Sequence, residues 1–368
     1  MSKKKRNVII ILLIIAVGLV VVYQTEIINR LLNPEMGFIE VAEINLEPNA
    51  QVKTTDNGIF IATGNSIRFV DTYGYPSFQD IFSVPSARLV VSGEYALIIE
   101  NRGFVARVYD ANGLVYSVST SHPIHTFALS QSGFLGLITQ SGNIYNILVY
   151  NNNGVLHKSG QHADSNIIPT AMAISNDSSI LAIAHLDING VALNSIVQFF
   201  YMDERQALQA NIEGPFAASL NNPDRIIAYL QFNNQNNLVT LSNNYISLIN
   251  PEAGASTLWE TSINHRLLNA HLQNNWLALL TNQGITAYNM MGENIIQKDL
   301  QANLSSGFNN ALIIEESGLF KAINVFSGAT LWEITVLGHN AEVLFVGDTS
   351  TIVTISGNNL RILRRVRI

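Results

Sequence analysis

One short pattern returns eight times along the chain and limits the fold more than any other feature. Runs of five mostly apolar residues appear as GIFIA (58–62), YALII (95–99), FLGLI (134–138), ILAIA (180–184), NLVTL (237–241), WLALL (276–280), ALIIE (311–315) and TIVTI (351–355). Their central residues, from Phe60 to Val353, stand 37, 39, 46, 57, 39, 35 and 40 apart. Such runs suit strands buried on both faces, and a repeat near forty residues is the period of a stacked or radial array.

Turn-forming residues flank each run. Asp56-Asn57-Gly58, Gln131-Ser132-Gly133 and Asn233–Asn236 precede it, and Gly64-Asn65, Ser141-Gly142-Asn143 and Asn282-Gln283-Gly284 follow. A third turn closes the next strand, as in Asp110–Gly113, Asn151–Gly154, Pro251–Gly254 and Ser327-Gly328. Asn, Asp and Gly accept the left-handed angles of tight hairpins. Three turns per unit give four strands per unit, which is a propeller blade. The fold class is therefore all-β, an eight-bladed β-propeller, or seven-bladed if the wide 182–239 interval is an insertion. Blades read as 50–84, 85–122, 123–166, 167–214, 215–263, 264–303, 304–340 and 341–368.

The last unit lacks an outer strand. Residues 38–47, FIEVAEINLE, supply one far upstream, and they carry Glu40, Glu43 and Glu47 against Arg361, Arg364, Arg365 and Arg367 of the terminal strand. Opposite charges on paired strands favour a register, and closure removes the open sheet edge. The basic cluster thus reads first as a closing strand and only second as a phosphate-binding surface. Because the closing strand follows the apolar segment described next, the seam is placed near a membrane, where arginine also meets anionic head groups.

That segment is Val8–Tyr23, VIIILLIIAVGLVVVY, directly after Lys3-Lys4-Lys5-Arg6. Sixteen residues rise about 24 Å as a helix, close to the ~30 Å bilayer core, and Asn7, Gln24 and Thr25 extend it. A cleaved signal peptide is the rival, but Ala16-Val17-Gly18 lies inside the apolar run and no small-residue site follows it. The organisation is then a cytoplasmic basic tail (1–6), a transmembrane signal anchor (7–25), a linker (26–37) and a propeller (38–368). The positive-inside rule puts the tail in the cytoplasm and the propeller outside it.

Composition narrows the chemistry. The chain has 368 residues, 48% hydrophobic and 13% charged, with no cysteine. Cysteine-ligated metals, a thiol nucleophile and lipidation through cysteine are excluded. Net charge is −7, and residues 31–360 hold 26 of the 27 acidic but only 11 of the 20 basic residues. A body this acidic argues against nucleic acid as a partner.

Two outer strands share a phrase, Gly254-Ala-Ser-Thr-Leu-Trp259-Glu260 and Gly328-Ala-Thr-Leu-Trp332-Glu333. It resembles the Gly-x-x-x-Trp signature of PQQ-like, quinoprotein-type repeats, where the indole docks between neighbouring blades. Other blades keep the glycine and change the aromatic, with Tyr116 after Gly113 and His157 after Gly154. WD-type repeats match less well, since no Trp-Asp pair occurs. The layout also resembles a bacterial family of unknown function with a basic tail, one membrane helix and a propeller. Quinoprotein dehydrogenases would imply PQQ and calcium. Their adjacent cysteine pair is absent here and the docking phrase fits two blades, so no cofactor is assigned. The PQQ-like lipoprotein of outer-membrane assembly implies instead a non-catalytic scaffold, although its lipid-bearing cysteine is absent.

No nucleophile elbow, phosphate loop or metalloprotease motif occurs. His122, His125, His162, His265 and His339 fall in or beside the links between blades, and His185 ends a second strand; all lie on one face. His122, His125 and His162 are the candidate metal or pH-sensitive group, with Asp164 or Asp187 as an oxygen ligand; solvated loop histidines are the plainer account. Trp276 reads as core packing, and the Asn-rich turns 151–153 and 233–237 as turn geometry before glycan contact. The sequence supports a membrane-anchored extracytoplasmic scaffold that binds an envelope protein or polymer. An envelope enzyme (a cofactor-dependent oxidoreductase or a glycan-acting protein) and a ligand-sensing propeller are the alternatives.

Overall fold

The computed structural model describes residues 36–84, 87–203, 216–298, 303–338 and 341–367. The tail, the apolar segment and most of the linker, as well as His339, lie outside the described residues. Among the described residues no helix is long and apolar enough to cross a membrane.

The strands form eight separate four-stranded sheets, each an antiparallel meander. Blades 1 to 7 span residues 51–81, 87–119, 124–162, 167–223, 227–262, 267–298 and 303–335. Blade 8 takes three strands from 342–367 and its outermost from Met36–Asn45. The eight apolar runs are the second strands of the eight blades. The ring therefore has eight blades, and the 57-residue step is not an insertion between seven.

One boundary moves. Residues 216–223, expected to open the fifth unit, pair with Asn194–Tyr201 and form the outer strand of blade 4. Hydrogen-bonding partners decide a strand's blade, and residues 216–223 pair with the third strand of blade 4.

Core packing explains why the second strands are apolar throughout. Alternate residues of a strand face opposite sides, and each side of a blade meets a neighbour. Ile59 and Ile61 enter the cluster shared by blades 8 and 1, while Phe60 and Ala62 enter the one shared by blades 1 and 2. Likewise Ala96 and Ile98 face blade 1, and Leu97 and Ile99 face blade 3. The core is thus a set of slabs between blades, one at each junction, and the seam has its own.

The asparagines and aspartates of the turns bond to their own backbone. Asn151 Oδ1 accepts the N–H groups of Asn153 and Val155, both at 3.0 Å. Asn233 Oδ1 does the same for Gln235 and Asn237 at 3.0 Å, and Asp71 for Tyr73 and Tyr75 at 2.9 Å. These Asx turns satisfy donors that the sheet leaves unpaired.

Candidate functional site

A meander of four strands alternates its turns between two faces. First-to-second and third-to-fourth turns share one face, here the proximal face; second-to-third turns and the links between blades share the other, the distal face. Met36 opens an outermost strand and so lies on the proximal face.

At the seam, strand Met36–Asn45 pairs antiparallel with Asn359–Arg367, with a bulge between Glu40 and Ala42. Among the described residues, the ion pairs to Glu40 and Glu43 both come from Arg361. Arg361 Nε lies 3.2 Å from Glu43 and 3.6 Å from Glu40. The Asn359 amide and then Arg361 hold the Glu43 carboxyl below its usual range. Arg364, Arg365 and Arg367 stand opposite Ile39, Phe38 and Met36 instead. Glu47 falls beyond the strand, where its carbonyl accepts the Ala50 N–H at 3.1 Å. Apolar packing carries the joint: Phe38 meets Trp332 edge-on at 5.3 Å, and Ala42 presses against Gly74 of blade 1.

The indoles dock onto the next blade. Trp259 of blade 5 donates to the Met290 carbonyl of blade 6 at 3.0 Å, and Trp332 of blade 7 to the Thr349 carbonyl of blade 8 at 3.2 Å. Tyr116 reaches Gly133 of blade 3 at 2.7 Å and His157 reaches Met202 of blade 4 at 3.1 Å. Phe78 of blade 1, missed in the sequence, stacks on Tyr109 of blade 2 at 5.9 Å. The glycines of the receiving turns give room: a Cβ at Gly292 would lie 2.9 Å from the Trp259 ring and one at Gly154 2.8 Å from Tyr116, whereas Gly254 and Gly328, in the donor blades, adopt φ +95° and +69° in open space. A column of turn glycines paired with the preceding blade's outer aromatic was the available signal.

The histidine candidates separate. His125 Nε2 donates to the Pro169 carbonyl at 3.0 Å, and its ring packs on Tyr145. His162, which ends an outer strand opposite Tyr145, turns to His185, with ring centroids 5.2 Å apart. His122 contributes its carbonyl to Thr120 Oγ1 at 2.8 Å. Asp164 and Asp187 accept backbone N–H groups of Asn166 and Asn189 at 2.9 Å. Among the described residues no three His, Asp or Glu come together as a metal set. His185 is buried, and His162 Nε2 and both His185 ring nitrogens are sequestered without a hydrogen-bond partner. Burial, with His162 beside it, pushes the His185 imidazole down to about 4. It is neutral at physiological pH.

Where the channel opens on the proximal face, a cavity of about 620 Å³ is lined largely by uncharged polar groups. They include Gln131, Asn234, Asn269, Gln273, Asn274 and Asn309. Trp276, fully buried beneath it, donates to the Asn309 carbonyl, and His271 to the Gly307 carbonyl at 3.2 Å. On the distal face the Ile188–Leu193 loop of blade 4 leaves Ile188, Val191 and Leu193 exposed, with Val191 fully so.

A family model described as "Family of unknown function (DUF5711)" matches residues 37–364. The chain belongs to this family. No curated protein matches the sequence. Among solved structures, the DUF5711 chain is similar to the Dos1 propeller, at 12% identity and a TM-score of 0.60, covering 89% of this chain and 95% of that one. It is also similar to Saccharomyces cerevisiae Sqt1, at 11% identity and a TM-score of 0.55, covering 88% and 100%. Identity this low shows the WD40-like propeller fold alone.

Proposed function

We propose that this DUF5711 protein is a single-pass membrane protein whose propeller stands outside the cytoplasm and binds a protein or polymer of the cell envelope. The anchor reading rests on Lys3–Arg6 and Val8–Tyr23 in the sequence. The observation that carries the binding role is the Ile188–Leu193 loop. It holds three aliphatic side chains in water on the face opposite the one the N-terminal segment joins. Clustered exposed apolar groups on a rigid scaffold are a docking feature. The interblade docking of Trp259 and Trp332 supports reading the repeats as PQQ-like, with the indoles structural.

A photocrosslinker on Val191→Cys in native membranes tests the role, because the chain has no competing thiol. One discrete envelope adduct, lost on adding Leu193→Asp, is the expected result. Diffuse labelling, or none, overturns it. Carbonate extraction and protease protection test the anchor and its orientation.

The carboxamide-lined cavity favours a second reading, a propeller that senses or acts on a glycan. Amides pair with hydroxyl groups without carrying charge. Thermal shift with envelope glycan fragments, abolished in Asn274→Ala, would support it; an unchanged melting temperature would remove it.

A further inference from the structure

The proximal rim exposes single aliphatic side chains elsewhere, Val155 in blade 3 and Met291 in blade 6, but at the seam aromatic and arginine side chains gather. The third-to-fourth turn of blade 1 exposes Tyr73 (52%) and Tyr75 (71%). The Arg364 guanidinium of blade 8 lies 4.5 Å from the Tyr73 ring centroid, and exposed Ile39 stands opposite Arg364 in the ladder. Met36 and Arg367, paired at the end of the same strands, continue the patch. In the equivalent turn of blade 7, Phe326 is also exposed. Aromatic, aliphatic and arginine side chains therefore share three consecutive blades.

Of the carboxylates here, Asp71 is held by the N–H groups of Tyr73 and Tyr75, and Glu40, next to Ile39, pairs with Arg361. The equivalent turns of blades 2, 5 and 6 carry acids, Asp110, Glu252 and Glu293, and that of blade 3 carries none. An anionic surface would be attracted at the seam and repelled at blades 2, 5 and 6.

The chain itself says what lies beneath. Ten residues, 26–35, separate the 7–25 anchor from Met36, a tether of at most about 35 Å. Tyrosine and arginine are the side chains that settle at a bilayer's head-group level, rings and stems among lipid and polar ends in water.

We propose that the blade 7–8–1 edge rests on the bilayer surface through Tyr73, Tyr75, Ile39, Met36 and the seam arginines, engaging anionic lipid head groups. The propeller then stands tilted on its seam, with the Ile188–Leu193 loop held away from the membrane. This rests on the anchor reading, and the two fail differently.

The full chain is reconstituted into phosphatidylcholine vesicles with or without phosphatidylglycerol. Single-cysteine variants, Tyr75→Cys and Val191→Cys, carry a fluorophore, and lipids quenched at the head group report proximity. Quenching at position 75 should exceed that at 191 by roughly threefold in anionic vesicles and fall with added salt. Arg364→Gln with Arg365→Gln should reduce it likewise. Equal quenching at both positions in protein that floats with the vesicles overturns the seam contact and leaves the anchor standing. Protein that fails to float overturns both. The salt titration uses the unaltered seam, so the result does not depend on the arginine variants folding.

Discussion

The Trp259 indole of blade 5 lies directly against the α-carbon of Gly292 in blade 6. A side chain at that glycine would place its Cβ 2.9 Å from the indole Cγ, and the glycine adopts φ +82°. Two constraints therefore meet at one residue.

Gly292→Ala should cost about 2–3 kcal/mol, combining the left-handed backbone with a displaced indole. Urea denaturation measures the loss. Trp276 and Trp332 are buried, so a red shift in emission would report Trp259. Trp259→Phe should lose about 1 kcal/mol with the hydrogen bond to Met290.

At the seam, packing and charge should separate cleanly. Phe38→Ala removes the edge-on contact with Trp332 and should cost about 1–2 kcal/mol. Arg361→Gln, whose ion pairs are about half exposed, should leave the melting temperature nearly unchanged. Calorimetry of the two variants side by side makes the comparison.

His185 should make stability fall in mild acid. Its folded pKa, about 4, lies below the unfolded value near 6.5, so the unfolded chain binds the proton first. Stability is unaffected above about pH 6.5 and declines by up to about 1.4 kcal/mol per pH unit from there toward pH 4. His185→Leu should flatten that limb of a stability-versus-pH curve.

Arg225→Lys should not be conservative. Arg225 bonds Glu260 through both terminal nitrogens, Nη2 at 2.8 Å, and lies 4.0 Å over the Tyr245 ring. Lysine reproduces neither the fork nor the stacking, and the loss should be about 1 kcal/mol by urea denaturation. Arg225, and then Ser247, hold the Glu260 carboxyl below its usual range against its partial burial. The stability this supplies is present above the ordinary carboxylate pKa and lost as pH falls through the lowered one, so the variant should show a shallower acid limb.

Much of this was legible in one dimension because local rules govern it. Doubly packed second strands must be apolar at successive positions, so Phe60, Leu97 and Val353 mark their blades without a structure. Asx turns need Asn or Asp at fixed offsets, so Asn151 and Asn233 mark hairpins. The phrase around Trp259 and Trp332 located the blade-to-blade contacts in two blades. The equivalent contact of Phe78 passed unseen because a phenyl ring on an outer strand has no distinctive signature.

Other features depended on pairing across space. By repeat spacing FAASLNNP (216–223) falls in the fifth unit, and only its ladder with Asn194–Tyr201 assigns it to blade 4. The sequence offers six charged side chains besides Arg361 for the seam, yet both described ion pairs to Glu40 and Glu43 go to Arg361, and Asn359 adds a hydrogen bond to Glu43. His162 was grouped by sequence with His122 and His125, whereas the approach of blades 3 and 4 sets it against His185. By itself the sequence determined the repeat, the strand order within a blade and the apolar segment that precedes the ring, because periodicity and turn chemistry are properties of neighbouring residues. The tertiary structure decided blade membership, histidine partners and which side chains surround the seam, because closing a ring brings together residues more than three hundred positions apart.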